Sequence, residues 1–287
     1  MTASFSTLCL INFRLLQLLV IIVHLMVVRS TSSLQSISKY SKIPLIELLS
    51  NIPNKPLKNE LSLQKSSLRN QYYGLRHGQS SSNLLGRISS DPSYGSLHHG
   101  LTETGKIQAQ KSAVQLIDLI GKDNILSPNT IFVSSNFTRA RETTEECIQS
   151  LSSLLLPTTN SKSTTVPPSM KYKIKLELNE RYFGSYDDAD LLYYNRVWPI
   201  DQLDSTNEIM GVESIEKVVI RLLKFINYYE SNYKNTNVIC TSHADTLQIF
   251  NMLLSGLDVR NYSQYRFNNG EVRNLALTPP LNPVTYD

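Results

Sequence analysis

Residues 71–79 read Gln71-Tyr72-Tyr73-Gly74-Leu75-Arg76-His77-Gly78-Gln79. The first five form a short β-prone run, and it stops at an arginine, a histidine and a glycine, a sharp change from apolar strand to polar turn. The same arrangement recurs three times. Thr130–Ser134 (TIFVS) is a strand candidate followed by Ser135-Asn136-Phe137-Thr138-Arg139. Tyr172–Leu178 (YKIKLEL) alternates apolar and polar residues, as a half-buried strand does, and runs into Asn179-Glu180-Arg181-Tyr182-Phe183-Gly184. Asn237–Cys240 (NVIC) reads as a buried strand and is followed by Thr241-Ser242-His243-Ala244-Asp245.

Helical patterns lie between these strands. Leu101–Ile120 carries Thr102 as its N-cap, Arg139–Leu156 stops at Pro157, and Asp245–Leu254 follows the fourth strand. Glu213–Tyr229 places Ile215, Val218, Val219, Leu222, Phe225 and Ile226 on one side. Glu271–Leu277 is a final strand. Strands alternating with helices specify an α/β fold, a three-layer α/β/α sandwich around a largely parallel or mixed sheet. Ligands of such sheets bind beyond the carboxyl ends of the strands. The polar groups to examine are therefore Arg76, His77, Arg139, Glu180 and His243.

Composition narrows the function classes. The 287 residues are 41% apolar and 18% charged, which suits a folded body and neither a disordered chain nor a multi-span membrane protein. The net charge of +4 is unevenly distributed: residues 1–70 hold eight Lys/Arg against two Glu, leaving 20 basic and 22 acidic residues beyond them. The body is thus slightly acidic, and no nucleic-acid partner is indicated. Cys147 and Cys240 lie in apolar patterns and read as buried free thiols, and no Cys/His spacing fits a zinc site.

The N-terminus reads as an address. Leu15–Val28 (LLQLLVIIVHLMVV) lies between Arg14 and Arg29, the pattern of a signal peptide or signal anchor over residues 1–30. Residues 31–70 are rich in Ser and Lys and nearly free of acids, as in a low-complexity linker or transit segment. The expectation is a secretory-pathway or organelle-targeted protein whose catalytic body, residues 71–287, meets a membrane only through this leader.

The four motifs in this order, each after a strand, resemble the histidine phosphatase superfamily, its phosphoglycerate-mutase-like branch, over roughly residues 71 to 277. The resemblance implies roles for particular residues. His77 would be the nucleophile; His243, Arg76 and Arg139 would complete the phosphate pocket; Glu180 would be the acid/base carboxylate. Asn83 and Arg87 sit where the family places further phosphate or substrate contacts. Leu101-Thr102-Glu103-Thr104-Gly105 matches a structural helix start, and Gly211-Val212-Glu213-Ser214 resembles a run preceding a helix, with Ser214 a candidate cap. Ala244 departs from the glycine often found after the second histidine, so the pocket survives if its φ is negative.

The residue types suit the chemistry. Arginine supplies a planar fork of N–H groups matched to phosphate oxygens, and neutral imidazole offers a nucleophilic lone pair near pH 7. A carboxylic acid can protonate the leaving alkoxide and then activate the water that hydrolyses phosphohistidine. These groups provide the charge without a metal or cofactor. The expectation is a metal-independent phosphatase acting on a small phosphorylated metabolite. A mutase-type phosphotransferase and a weakly active phospho-ligand scaffold are the alternatives. Gly184–Gly211 carries Asp187, Asp188, Asp190, Asp201, Asp204 and Glu208 against Arg196 alone, and such an acidic lid disfavours a bisphosphorylated cofactor. His98 and His99 read as a solvated loop, and Tyr193, Tyr194, Tyr228 and Tyr229 as packing or surface aromatics. The sequence is silent on oligomeric state.

Overall fold

A computed structural model describes residues 68–156 and 170–281. Residues 1–67, which hold the segments read as an address and a linker, and residues 157–169 lie outside the described residues. The residues just before β1 are tied to the rest of the body: the Arg69 guanidinium donates to the Tyr233 carbonyl, and the Asn70 amide donates to the carbonyls of Tyr229 and Tyr233.

Five strands form one sheet: β1 (Gln71–Arg76), β2 (Thr130–Ser134), β3 (Tyr172–Ile174), β4 (Asn237–Ser242) and β5 (Val272–Asn274). Their order is β3-β2-β4-β1-β5, parallel throughout except for antiparallel β5 at the edge. Five helices of eight or more residues are described: α1 (Glu103–Ile120), α2 (Thr138–Leu155), α3 (Tyr194–Asp201), α4 (Ile215–Asn232) and α5 (Ala244–Ser255). Alternate strand residues face opposite ways and make two cores. Tyr72, Val133, Val238 and Cys240 pack against α4 and α5 on one face, while Tyr73, Phe132 and Ile239 pack against α1 and α2 on the other. This is the expected three-layer sandwich. Both described cysteines are free and buried.

Local sequence sets the boundaries. Thr102 caps α1 by accepting from the Gly105 N–H at 3.1 Å, and Ser214 caps α4 through the Lys217 N–H at 3.3 Å. Two expectations need correction. The strand anticipated over Tyr172–Leu178 ends at Ile174, and Leu176–Leu178 form a 3₁₀ turn. Only three residues pair with β2, and Ile174 and Leu176 face solvent, so the alternation there does not mark a buried face. Only Leu178 enters the core, which aims Asn179 and Glu180 at the end of β4; the Ser242 hydroxyl donates to the Leu178 carbonyl at 2.6 Å. The final strand is also shorter than Glu271–Leu277, because β5 pairs with β1 over three residues only.

Candidate active site

The parallel register brings the carboxyl ends of β1, β2 and β4 to one edge, with Arg76 opposite Ser242 and Ser134 opposite Thr241. The residues that follow those strands converge on a cavity of about 330 Å³. Its lining includes Arg76, His77, Asn83, Arg87, Arg139 and Glu180. His243 lies beneath it, with ring centroids 5.1 Å from His77 at an interplanar angle of 60°. Residues distant in sequence thus meet around one cavity.

Glycine permits the tight packing around His77. A Cβ on Gly78 would stand 2.3 Å from the Gly105 carbonyl oxygen, and one on Gly105 would stand 2.1 Å from that of Gln79. The start of α1 therefore rests directly on the loop after β1, which is the structural role expected of Leu101–Gly105. The Gly78 N–H donates to the Thr143 hydroxyl of α2 at 3.0 Å, which ties that loop to a second element.

Hydrogen bonding fixes the state of His77. Its Nδ1 lies 2.7 Å from the Gly78 carbonyl oxygen, an acceptor only, so Nδ1 carries the proton. Nε2 then holds the lone pair, and it accepts from Arg139 Nε at 3.1 Å. Burial, followed by the charges of Arg139 and Arg76, holds the His77 pKa well below its ordinary value, so the ring stays neutral.

His243 is set by a relay. The Asn179 amide oxygen accepts from the Asn136 N–H at 2.9 Å and from the Ser135 hydroxyl at 3.0 Å. With its proton committed to Asn179, the Ser135 oxygen is an acceptor for His243 Nε2–H at 2.8 Å. His243 Nδ1 is left buried with no partner. Burial, Arg139 and His77 keep this ring neutral as well.

The two guanidinium groups are held by their surroundings. Arg139, 3% exposed, donates to the Ser89 carbonyl at 2.8 Å and to its hydroxyl at 3.2 Å. Arg76 donates to the Phe267 carbonyl at 2.5 Å. Burial lowers both pKa values to about 10, so both remain cations at neutral pH. Glu180 is buried rather than solvated, and its Oε1 accepts from the backbone N–H groups of Arg181 at 2.9 Å and Thr246 at 3.3 Å. The Asn83 amide oxygen accepts from the Ser80 N–H at 3.1 Å, so Asn83 braces the loop as well as lining the cavity. Arg87 is exposed at the mouth and donates to the Asp188 carbonyl at 2.7 Å. Ala244 has no positive φ, so no strain arises there.

The far wall differs from the reading of the sequence. The acids of Gly184–Gly211 do not line the cavity. Asp187 accepts from the backbone of Ser90 and Asp91, Asp190 from Leu192, and Asp204 from Thr206. Glu208 pairs with Lys217. Asp201 pairs with Arg181 at 2.6 Å, both side chains being almost fully buried. The segment presents Leu191, Leu192, Tyr194 and Trp198 to the cavity instead. The acids argued against a bisphosphorylated ligand are therefore engaged in local structure and do not face the cavity, although the charge of Asp187 still reaches Arg139. Tyr194, read as a packing or surface aromatic, is a cavity wall stacked on Trp198 with centroids 4.7 Å apart. Of the two loop histidines, His98 is exposed while His99 Nδ1 meets the Ser89 hydroxyl at 2.8 Å, next to Arg139. Arg266 also lines the cavity and escaped the sequence reading. Its topological signal is that antiparallel β5 begins beside the carboxyl end of β1, so the loop before β5 must pass the site.

Comparison with known proteins agrees with this geometry. The model of the histidine phosphatase superfamily (branch 1) matches residues 73–280. No curated protein sequence matches the chain. Among solved structures, a mycobacterial glucosyl-3-phosphoglycerate phosphatase complexed with VO3 is similar at 20% identity and a TM-score of 0.52, over 70% of this chain and 90% of that one. A phosphoserine phosphatase from Entamoeba histolytica, complexed with 3-phosphoglyceric acid, is similar at 19% identity and a TM-score of 0.50, over 71% and 88%. Likenesses at this identity speak to the fold, whereas the family match spans most of the chain and coincides with the body that carries the site. The chain belongs to the histidine phosphatase superfamily, branch 1.

Proposed function

We propose that the protein is a phosphomonoester hydrolase that works through a phosphohistidine on Nε2 of His77. The observation that carries this reading is the state of that nitrogen: a neutral, buried imidazole with its proton held at Nδ1 and its lone pair facing Arg139. An incoming phosphate takes over the N–H groups of Arg139 and so releases Nε2 for attack on phosphorus. The P–O bond to the leaving group breaks as the N–P bond forms. Arg76, Arg139 and a His243 protonated at Nδ1 hold the three equatorial oxygens. Glu180, entering as the acid, gives its proton to the leaving oxygen. As a carboxylate it then takes a proton from the water that attacks phosphohistidine, which regenerates free His77. Asn83 and Arg87 contribute at the phosphate and at the mouth.

Arginines and imidazoles supply the positive charge, so the reaction is expected to need no metal. Hydrolysis is preferred to transfer because the similar structures named above are phosphatases and the segment Gly184–Gly211 is short. The test is hydrolysis of p-nitrophenyl phosphate by the purified chain with EDTA present. Transfer between phosphoglycerates that depends on a bisphosphoglycerate would favour the mutase, and binding without turnover the scaffold. The leader is read as a signal or anchor for the secretory pathway or an organelle. Comparing the location of the tagged full-length chain with one lacking residues 1–30 tests that reading.

A further inference from the structure

The mouth of the cavity carries apolar side chains that the mechanism above leaves unused. Leu84 and Leu85 are 69% and 68% exposed, and Leu192 is 46% exposed. Surface leucines are common when scattered, but these fall in two Leu-Leu pairs at one rim. Leu84 and Leu85 stand in the chain between Asn83 and Arg87, both of which line the cavity, and Leu191 and Leu192 line it themselves. The two pairs are joined by their neighbours. The Leu191 N–H donates to the Gly86 carbonyl at 3.1 Å, and the Arg87 guanidinium donates to the Asp188 carbonyl at 2.7 Å.

The rim is held in this form. Leu84 ends a helical turn, Ser81–Leu84; the Leu85 N–H then donates to the Ser81 carbonyl at 3.0 Å and the Gly86 N–H to the Asn83 carbonyl at 3.1 Å. Gly86 has a φ of +64°, and a Cβ on it would meet nothing within 4 Å, so the chain turns sharply beneath open space. On the opposite side the Asp190 carboxylate accepts from the Leu192 N–H at 2.8 Å. Leucines fixed outward in this way take up apolar matter without first having to be ordered.

The site itself says what lies there. On the proposed mechanism the phosphoryl group sits among Arg76, Arg139 and the two imidazoles, and it fills only part of about 330 Å³. The leaving group then runs past Tyr194, Leu191 and Leu192 to the rim. Whatever crosses the rim is therefore covalently part of the ester. Charge narrows its chemistry further. At the mouth Arg87 is outnumbered by the exposed Asp188 and Asp190, so a further anion gains nothing there, whereas an uncharged chain is unaffected.

We propose that Leu84, Leu85, Leu191 and Leu192 form an apolar lip for the leaving group, and that the preferred substrates are phosphomonoesters of an extended, uncharged, apolar chain, taken up as monomers. The placement of the phosphate rests on the phosphatase reading, but the dependence on chain length is measured without turnover.

The experiment titrates methyl-, butyl- and octylphosphonate, whose P–C bond resists hydrolysis, into the full-length chain below their micellar concentrations. Octylphosphonate is expected to bind at least about tenfold tighter than butylphosphonate, because each of the four added methylenes is partly buried on the lip. Leu84→Ser combined with Leu85→Ser should remove most of that gain. Methylphosphonate, too short to reach the lip, reports whether the phosphate pocket of the variant is intact. In turnover, kcat/KM for octyl phosphate should exceed that for butyl phosphate by a similar factor, chiefly through KM. Equal affinity for the butyl and octyl ligands overturns the proposal. So does a gain that survives the double substitution, or 1-octanol binding as tightly as octylphosphonate. Loss of methylphosphonate binding in the variant also overturns it, since the leucines would then support the pocket rather than the chain. Binding that tightens with chain length, with no alkyl phosphate hydrolysed, defeats the phosphatase reading and leaves the lip in its role. Hydrolysis that is indifferent to chain length does the reverse.

Discussion

The two halves of the cavity are built differently. On the proposed mechanism the phosphate half comes from the ends of three parallel strands, β1, β2 and β4, and the residues just after them: Arg76, His77, Arg139 at the start of α2, and His243. The leaving-group half comes from two connecting segments, residues 184–211 and 256–270, and uses aromatic and aliphatic side chains with one arginine. Invariant chemistry suits a frame whose geometry follows from sheet register. Selectivity suits loops, which can change without disturbing that frame. Mutations should therefore separate cleanly: damage to the first half should act on every substrate alike, and damage to the second should depend on the leaving group.

The largest effect is expected at His77. His77→Ala should lower kcat on p-nitrophenyl phosphate by at least about 10⁴-fold, since the proposed intermediate forms on this ring. Residual activity near the wild-type rate would mean that the frame does not carry the chemistry. Glu180→Gln should lower kcat by about 10²–10³-fold on alkyl phosphates and much less on p-nitrophenyl phosphate, whose leaving group needs little protonation. Equal rates for wild type and variant on an alkyl phosphate would remove Glu180 from the acid role.

The two segments of the second half can be separated through Arg181. It is buried with Asp201 and donates to the Tyr262 hydroxyl at 2.7 Å, joining the 184–211 segment to the loop after α5. Burial raises the Asp201 pKa even though Arg181 pulls it down, so the pair is costly to desolvate and costly to split. Arg181→Met should lose about 3–5 kcal/mol in denaturant titration, whereas a surface pair such as Lys106–Glu103 should contribute little. A loss below about 1 kcal/mol would show that the segment stands without this pair.

These contrasts follow what the sequence could reveal. Arg76-His77, Arg139 and His243, at or just after the ends of β1, β2 and β4, were legible because parallel strands bring their carboxyl ends to one edge of the sheet. Glu180 was legible as the carboxylate that follows the run Tyr172–Leu178, although the strand leading to it was overextended past Ile174. The relay from Asn179 through Ser135 to His243 was not legible, because it depends on which way an amide points. The lid was misread for a related reason. A count of carboxylates gives the charge of a segment but not its direction, and five of its six acids close turns or pair with Arg181 and Lys217. Tyr194 and Arg266 had no sequence signal of their own beyond the position of their loops.

The relay gives a smaller effect. Asn179→Leu or Ser135→Ala should lower kcat by about 10–10²-fold on all esters by freeing the tautomer of His243. Nitrogen-15 shifts of that ring should show a mixed tautomer in place of a single Nε2–H form, and Ser135→Thr should restore both rate and spectrum. A lower rate with an unchanged spectrum would reassign these residues to local structure.

Stability should carry the smallest signature. Because the folded pKa values of His77 and His243 lie well below 6.5, their contribution is complete above that pH and is lost as pH falls towards the folded values. Thermal midpoints should decline below about pH 6.5, and His243→Gln should flatten part of that decline. A midpoint that rises on acidification would contradict the buried, neutral state of both rings.

The most direct measurement is to trap the phosphoenzyme. Wild-type chain and Glu180→Gln are mixed with a labelled phosphomonoester in a single turnover and quenched in alkali, where phosphohistidine survives. One label per chain should be found on Nε2 of His77, lost on acidification and accumulating further in Glu180→Gln, where hydrolysis of the intermediate is slowed. Turnover of the ester with no label on His77 in either protein would show that phosphate passes directly to water, and the two-imidazole catalyst described here would be wrong.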